Sequence, residues 1–162
     1  MKPYVDEMAA ESASAKDPDG TPTLLYLIGR MDRVVRRSIG EAVKDQGLSV
    51  NQYTTLSVLD HRSGLSNAQL ARRALVSPQS MNEVLLSLEE RGLVRRQAHP
   101  DHGRILQARL TPKGRKVLGA CDEQVAAIEA AMVDGLTPVQ HEALRRSLLA
   151  CVRTLHGGLD HD

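Results

Sequence analysis

The chain has 162 residues, with 21 Lys and Arg against 20 Asp and Glu, two cysteines, and neither tryptophan nor phenylalanine. That length suits one domain with a real core, or a compact module carrying an oligomerisation element. No apolar run approaches twenty residues, and the first thirty lack a charged segment followed by a hydrophobic one. Neither a membrane span nor a secretory signal is therefore expected, and the reading is cytoplasmic.

Residues 1–20, with Ser12, Ser14, Lys16, Asp17, Pro18, Asp19 and Gly20, are polar and aperiodic, which predicts a mobile arm. Leu24, Leu27, Ile28, Met31, Val34, Val35, Ile39 and Val43 then mark a long amphipathic helix ending near Gly47. Ser49 with Gln52 forms a capping box that opens a helix through Tyr53, Leu56, Val58 and Leu59.

Ser66 to Leu110 is the most informative stretch. Ser66-Asn67-Ala68-Gln69 is a second capping box, followed by Leu70, Ala71 and Ala74 on one face and Arg72 and Arg73 on the other. Ser77-Pro78 opens the next helix, because proline costs nothing at the first helical position. Met81, Val84, Leu85 and Leu88 recur at i, i+3, i+4, i+7, which leaves Gln79, Ser80, Asn82, Glu83 and Ser87 on the open face. Short polar side chains at the start of a second helix match the donor and acceptor patterns of base edges in a major groove. The helix stops at Arg91-Gly92.

Two strand candidates follow, Leu93 to Ala98 and Ile105 to Leu110, the latter with Leu106, Ala108 and Leu110 alternating against polar neighbours. Between them His99-Pro100-Asp101-His102-Gly103-Arg104 is a turn. A two-stranded wing with Arg104 at its tip can lay a cation into a minor groove, with His102 beside it. Residues 61–116 hold eleven Lys or Arg against four Asp or Glu, whereas residues 117–162 hold three against seven. A phosphate backbone needs that asymmetry.

Thr111-Pro112 starts a helix with Val117, Leu118, Cys121, Val125, Ile128 and Met132 on one stripe, and Gly135 ends it. Thr137-Pro138-Val139-Gln140 caps a last helix with Leu144, Leu148, Leu149, Val152 and Leu155. The predicted class is mainly α with a small β-wing. It divides into an arm over 1–20, a winged helix-turn-helix DNA-binding domain over 49–111, and a helical dimerisation region over 21–48 and 112–162. The terminal helices carry more apolar surface than the module can cover, which predicts a symmetric homodimer on double-stranded DNA.

Cys121 and Cys151 have no metal-like spacing and read as buried small hydrophobes. His99 and His102 form a His-x-x-His without a third ligand nearby, so no metal is expected. No Gly-rich phosphate loop, nucleophile elbow or His-Glu-x-x-His helix is present, so no enzyme and no cofactor are expected.

From residues 21 to 156 the chain resembles the MarR family of bacterial transcriptional regulators. The resemblance rests on the long first helix, Leu48-Ser49-Val50-Asn51-Gln52-Tyr53, the Ser66 to Gly92 helix-turn-helix, the wing, and Leu110-Thr111-Pro112-Lys113-Gly114. Members usually carry Asp-x-Arg in the wing; here Arg104 holds the arginine position and His102 stands where the acidic residue is expected. The resemblance implies a homodimeric repressor or activator of a pseudo-palindromic operator, released by a small, often aromatic and anionic, ligand. It implies that Arg104 enters the minor groove; together with the helix faces read above, the expected DNA contacts are Ser66, Arg72, Arg73, Ser77, Gln79, Ser80, Asn82, Glu83, His102 and Arg104. It places the ligand among Tyr26, Arg30, Arg33, Tyr53 and His61. A thiol- or metal-responsive regulator of the same fold is the alternative.

Overall fold

The computed structural model describes Lys16, residues 19–99, Gly103 and residues 105–155. The arm expected over 1–20 therefore lies outside the described residues except at Lys16, Asp19 and Gly20; Lys16 forms an antiparallel bridge with Pro22. Helices are α1 (Leu24–Val43), α2 (Val50–His61), α3 (Asn67–Ala74), α4 (Pro78–Glu90), α5 (Pro112–Val133) and α6 (Pro138–Thr154), and strands are β1 (Leu65–Ser66), β2 (Val94–Ala98) and β3 (Leu106–Leu110).

Every expected start signal is used. The Ser49, Ser66 and Thr137 side chains each accept from the backbone N–H three residues on, and the Gln there reaches back, completing three capping boxes. Ser77 and Thr111 cap α4 and α5, each followed by proline. At the end of α4 the chain must turn back towards β2, and Gly92 takes φ 67°, a left-handed conformation that a Cβ would penalise.

The described residues divide into two units between Arg37 and Ser38. In the first, Leu24, Leu25, Leu27, Ile28, Met31 and Val34 along α1 are exposed, and Asp32 pairs with Arg36 one turn later.

The second unit holds the core. Leu56 and Leu59 of α2, Leu70 and Ala71 of α3, Met81, Leu85 and Leu88 of α4, Leu93, Val94, Ala108, Leu110, and Leu118 and Cys121 of α5 are buried together. Each such leucine contributes on the order of 1.5–3 kcal/mol through removal of its apolar surface from water. The stripe on α5 is buried only in its first half; Met132 is exposed, and α6 buries none of its residues. Cys151 consequently departs from the expectation: it sits exposed on α6, because that helix has no core beneath it, whereas Cys121 is buried as expected.

The wing also differs from the two strands expected. The sheet is three-stranded and antiparallel in the order β1-β3-β2, with Leu65 opposite Ala108 and Val94 opposite Leu110. β1 has two residues, too few to show a strand period, and exists because β3 supplies its partners. Leu106 also breaks the expected alternation: Ala108 and Leu110 are buried, but Leu106 is 49% exposed where β3 leaves the core.

Candidate nucleic-acid interface

Short-range bonds set the starts of the two helices of the motif and the turn between them. The Ser66 hydroxyl accepts from the Gln69 N–H at 3.3 Å while the Ser66 N–H donates to Gln69 Oε1 at 2.8 Å. The turn between α3 and α4 is made by Leu75 at φ 53°. Its N–H returns to Arg72, and that of Val76 returns to Ala71 at 3.1 Å. Asn67 Nδ2 then donates to the Pro78 carbonyl at 2.9 Å, tying the start of one helix to the start of the next. Burial of Met81, Leu85 and Leu88 orients α4, and Gln79, Ser80, Asn82 and Glu83 are exposed on its other side.

The expected contact residues thus separate by role. Gln79, Ser80, Asn82 and Glu83 share one exposed face. Ser66 and Ser77 spend their hydroxyls as helix caps; the Ser77 hydroxyl accepts from the Ser80 N–H at 3.0 Å and donates to the Ser80 hydroxyl at 2.9 Å. Ser87 does not belong to the open face: its hydroxyl accepts from Gln52 Nε2 of α2 at 3.0 Å. Arg72 is exposed and lines a cavity of about 350 Å³ with Gln69, His99 and Gln107, while Arg73 is half-buried. His102 and Arg104 lie outside the described residues.

Sequence reasoning missed Arg96 and Glu89. Arg96 of β2 donates from its backbone N–H to Glu89 Oε1 at 3.0 Å and from Nε to Oε2 at 2.9 Å, with Nη2 2.7 Å from the same oxygen. Its remaining nitrogen, Nη1, donates to Asn82 Oδ1 at 3.2 Å. The Arg96 hydrogen bonds hold the Glu89 carboxyl below the usual carboxylate range, against the opposing effect of burial. Asn82 and Arg96 border a second cavity, of about 420 Å³, together with Ser66, Asn67 and Leu106. The only sequence signal was the adjacency of Arg95 and Arg96 in a strand, which sends the two side chains to opposite faces.

The ligand candidates fall in both units. Tyr26, Arg30 and Arg33 lie on α1, where the Tyr26 hydroxyl accepts from Arg30 Nη1 at 3.3 Å and Arg33 is exposed. Tyr53 and His61 lie on α2. His61 Nδ1 is 2.9 Å from the Ser57 carbonyl, and the Tyr53 hydroxyl donates to Asp122 Oδ1 of α5. Among the described residues no three His, Cys, Asp or Glu side chains gather as a metal site. Burial, reinforced by the negative charge of Asp122, pushes the Cys121 thiol up, opposite to what a reactive thiolate requires.

A capped helix pair, a polar outward face on the second helix and an antiparallel wing define a winged helix-turn-helix DNA-binding protein. Comparison with known proteins agrees. The MarR family model matches residues 46–105. The HTH-type transcriptional repressor Rv2887 of Mycobacterium tuberculosis is 38% identical over 123 residues, covering 76% of this chain and 88% of that protein. Its crystal structure in complex with salicylic acid superposes with a TM-score of 0.66 at 36% identity, over 82% of this chain and 98% of that one. The repressor CouR bound to a 23-mer DNA duplex gives 0.71 at 27% identity, over 81% and 92% of the two chains. The chain belongs to the MarR family of transcriptional regulators. No helix among the described residues is long and apolar enough to cross a membrane.

Proposed function

We propose that this chain is a cytoplasmic, homodimeric repressor that reads a pseudo-palindromic operator with the Gln79, Ser80, Asn82 and Glu83 face of α4 and yields to a small aromatic carboxylate. It works by binding and not by catalysis. The observation that carries the reading is the exposed polar face of α4, held by the Ser77 cap and flanked by the arginines of α3 and β2. Amides and a carboxylate there can bond base edges; in this reading Arg72 and Arg73 neutralise phosphates and Arg104, outside the described residues, enters the minor groove. The relatives support both partners, since CouR is seen on a DNA duplex and Rv2887 with salicylic acid. Exposed apolar residues on α1 and α6 support dimerisation through 21–48 and 112–162, leaving 49–111 as the DNA-binding module.

The test combines sizing with footprinting on duplexes selected from a random pool. A dimer should protect two half-sites with centres about one helical turn apart. Salicylate should weaken that complex. Gln79→Ala should cost about 1–3 kcal/mol on the selected site and flatten base discrimination, whereas Arg72→Ala should weaken selected and random DNA alike and lower the salt slope. A stable monomer that protects the whole palindrome, or an Arg72→Ala variant with altered base preference, overturns the assignment.

A further inference from the structure

The wing holds the side-chain carbonyl of Asn82, an exposed amide of α4. Its neighbour Arg96 can only donate, because a guanidinium has five N–H groups and no acceptor. The atom of Asn82 facing Arg96 Nη1 at 3.2 Å is therefore Oδ1, and the amide nitrogen is turned away from it. Arg96 is itself fixed. Glu89 takes its backbone N–H, Nε and Nη2, and its side chain is only 17% exposed. A planar fork held on two sides cannot swing aside at the cost of one bond.

An unconstrained asparagine reads adenine with both amide atoms, accepting from N6 and donating to N7. With Oδ1 turned towards Arg96 and one of its lone pairs taken, the amide leads with its Nδ2 donors. Donors match edges that offer acceptors alone, which in the major groove means N7 and O6 of guanine or O4 of thymine. We infer that Arg96, clamped by Glu89, is a positioning residue for base selectivity: it turns Asn82 from an adenine reader into a donor for a guanine or thymine edge. This rests on the proposal that α4 reads a major groove, and it adds a residue of β2 to the determinants of operator sequence.

The experiment measures binding of the full-length protein to single-base variants of a duplex selected from a random pool. The position under Asn82 is the one whose discrimination collapses in Asn82→Ala. There the unaltered protein should prefer guanine or thymine over adenine. Arg96→Lys keeps the charge but loses the fork, so it should raise the affinity for adenine relative to the preferred base about tenfold, with an unchanged salt slope. Glu89→Gln should shift preference in the same direction by less, and it serves if Arg96→Lys melts early by circular dichroism. In the Asn82→Ala background, neither change should move base preference. An adenine preference in the unaltered protein, or an equal loss on all four bases in Arg96→Lys, overturns the inference while leaving the DNA-binding reading intact. Failure of the unaltered protein to select any sequence overturns that reading instead.

Discussion

The hydroxyl of Tyr53 in α2 donates to the carboxylate of Asp122 in α5 across 3.3 Å, joining residues 69 positions apart. Tyr53 is buried at the contact, and burial, followed by the negative charge of Asp122 and the bond to it, pushes its phenol up to about 12 from an ordinary value of 10.0. A residue expected near a ligand is thus also a strut between two helices. An effector that took the Tyr53 hydroxyl would have to break this bond.

The pH consequence has a definite sign. Between pH 10 and 12 the folded protein keeps a proton on Tyr53 that the unfolded chain has lost. This contribution to stability is complete below pH 10 and disappears as pH rises through about 12. Tyr53 should give a late step in ultraviolet absorbance of the folded protein, and Tyr53→Phe should remove that step. Asp122→Asn should lower it only in part, because burial is the larger cause. Absence of any late step that Tyr53→Phe removes would contradict the assignment.

Gly114 is required by a close approach of backbones. A Cβ there would fall inside the contact distance of the Leu93 carbonyl oxygen, a group that also accepts from the Thr111 N–H at 3.1 Å where α5 begins. The clash is with main chain, so no rotamer relieves it. Gly114→Ala should destabilise the protein by about 3 kcal/mol in urea unfolding. A methyl group at Gly119 in the same helix would meet nothing within 4 Å, and Gly119→Ala should instead stabilise by about 0.5–1 kcal/mol. Equal effects at the two positions would refute the steric account.

Leu75 carries the turn of the motif in a left-handed conformation, φ 53°, with its side chain 71% exposed. An L-residue there costs roughly 1–2 kcal/mol, and glycine removes that cost while losing some to unfolded-chain entropy. Leu75→Gly should therefore raise unfolding stability by up to about 1 kcal/mol. A lower midpoint in thermal or urea unfolding would show that the exposed leucine packs on something that matters.

The sequence by itself determined what local chemistry decides. The three capping boxes span four residues each, the three Ser/Thr-Pro starts span two, and the stripes on α3 and α4 are periodicities within one helix. Such features form from bonds and rotamers that the chain meets wherever it folds. The tertiary structure alone decided where segments distant in sequence compete for the same group. Ser87 looks outward by periodicity, yet Gln52, 35 residues away, claims its hydroxyl. Leu65 and Ser66 become a strand only because β3 pairs with them. Cys121 and Cys151 sit in similar apolar patterns, and one is buried and the other exposed because α5 meets the core in its first half and α6 buries no residue at all. The orientation of Asn82 depends on an arginine 14 residues on, held by a glutamate from the far end of its own helix. Periodicity can assign a residue to a face; which atom of its amide points outward depends on the donor that packing brings beside it.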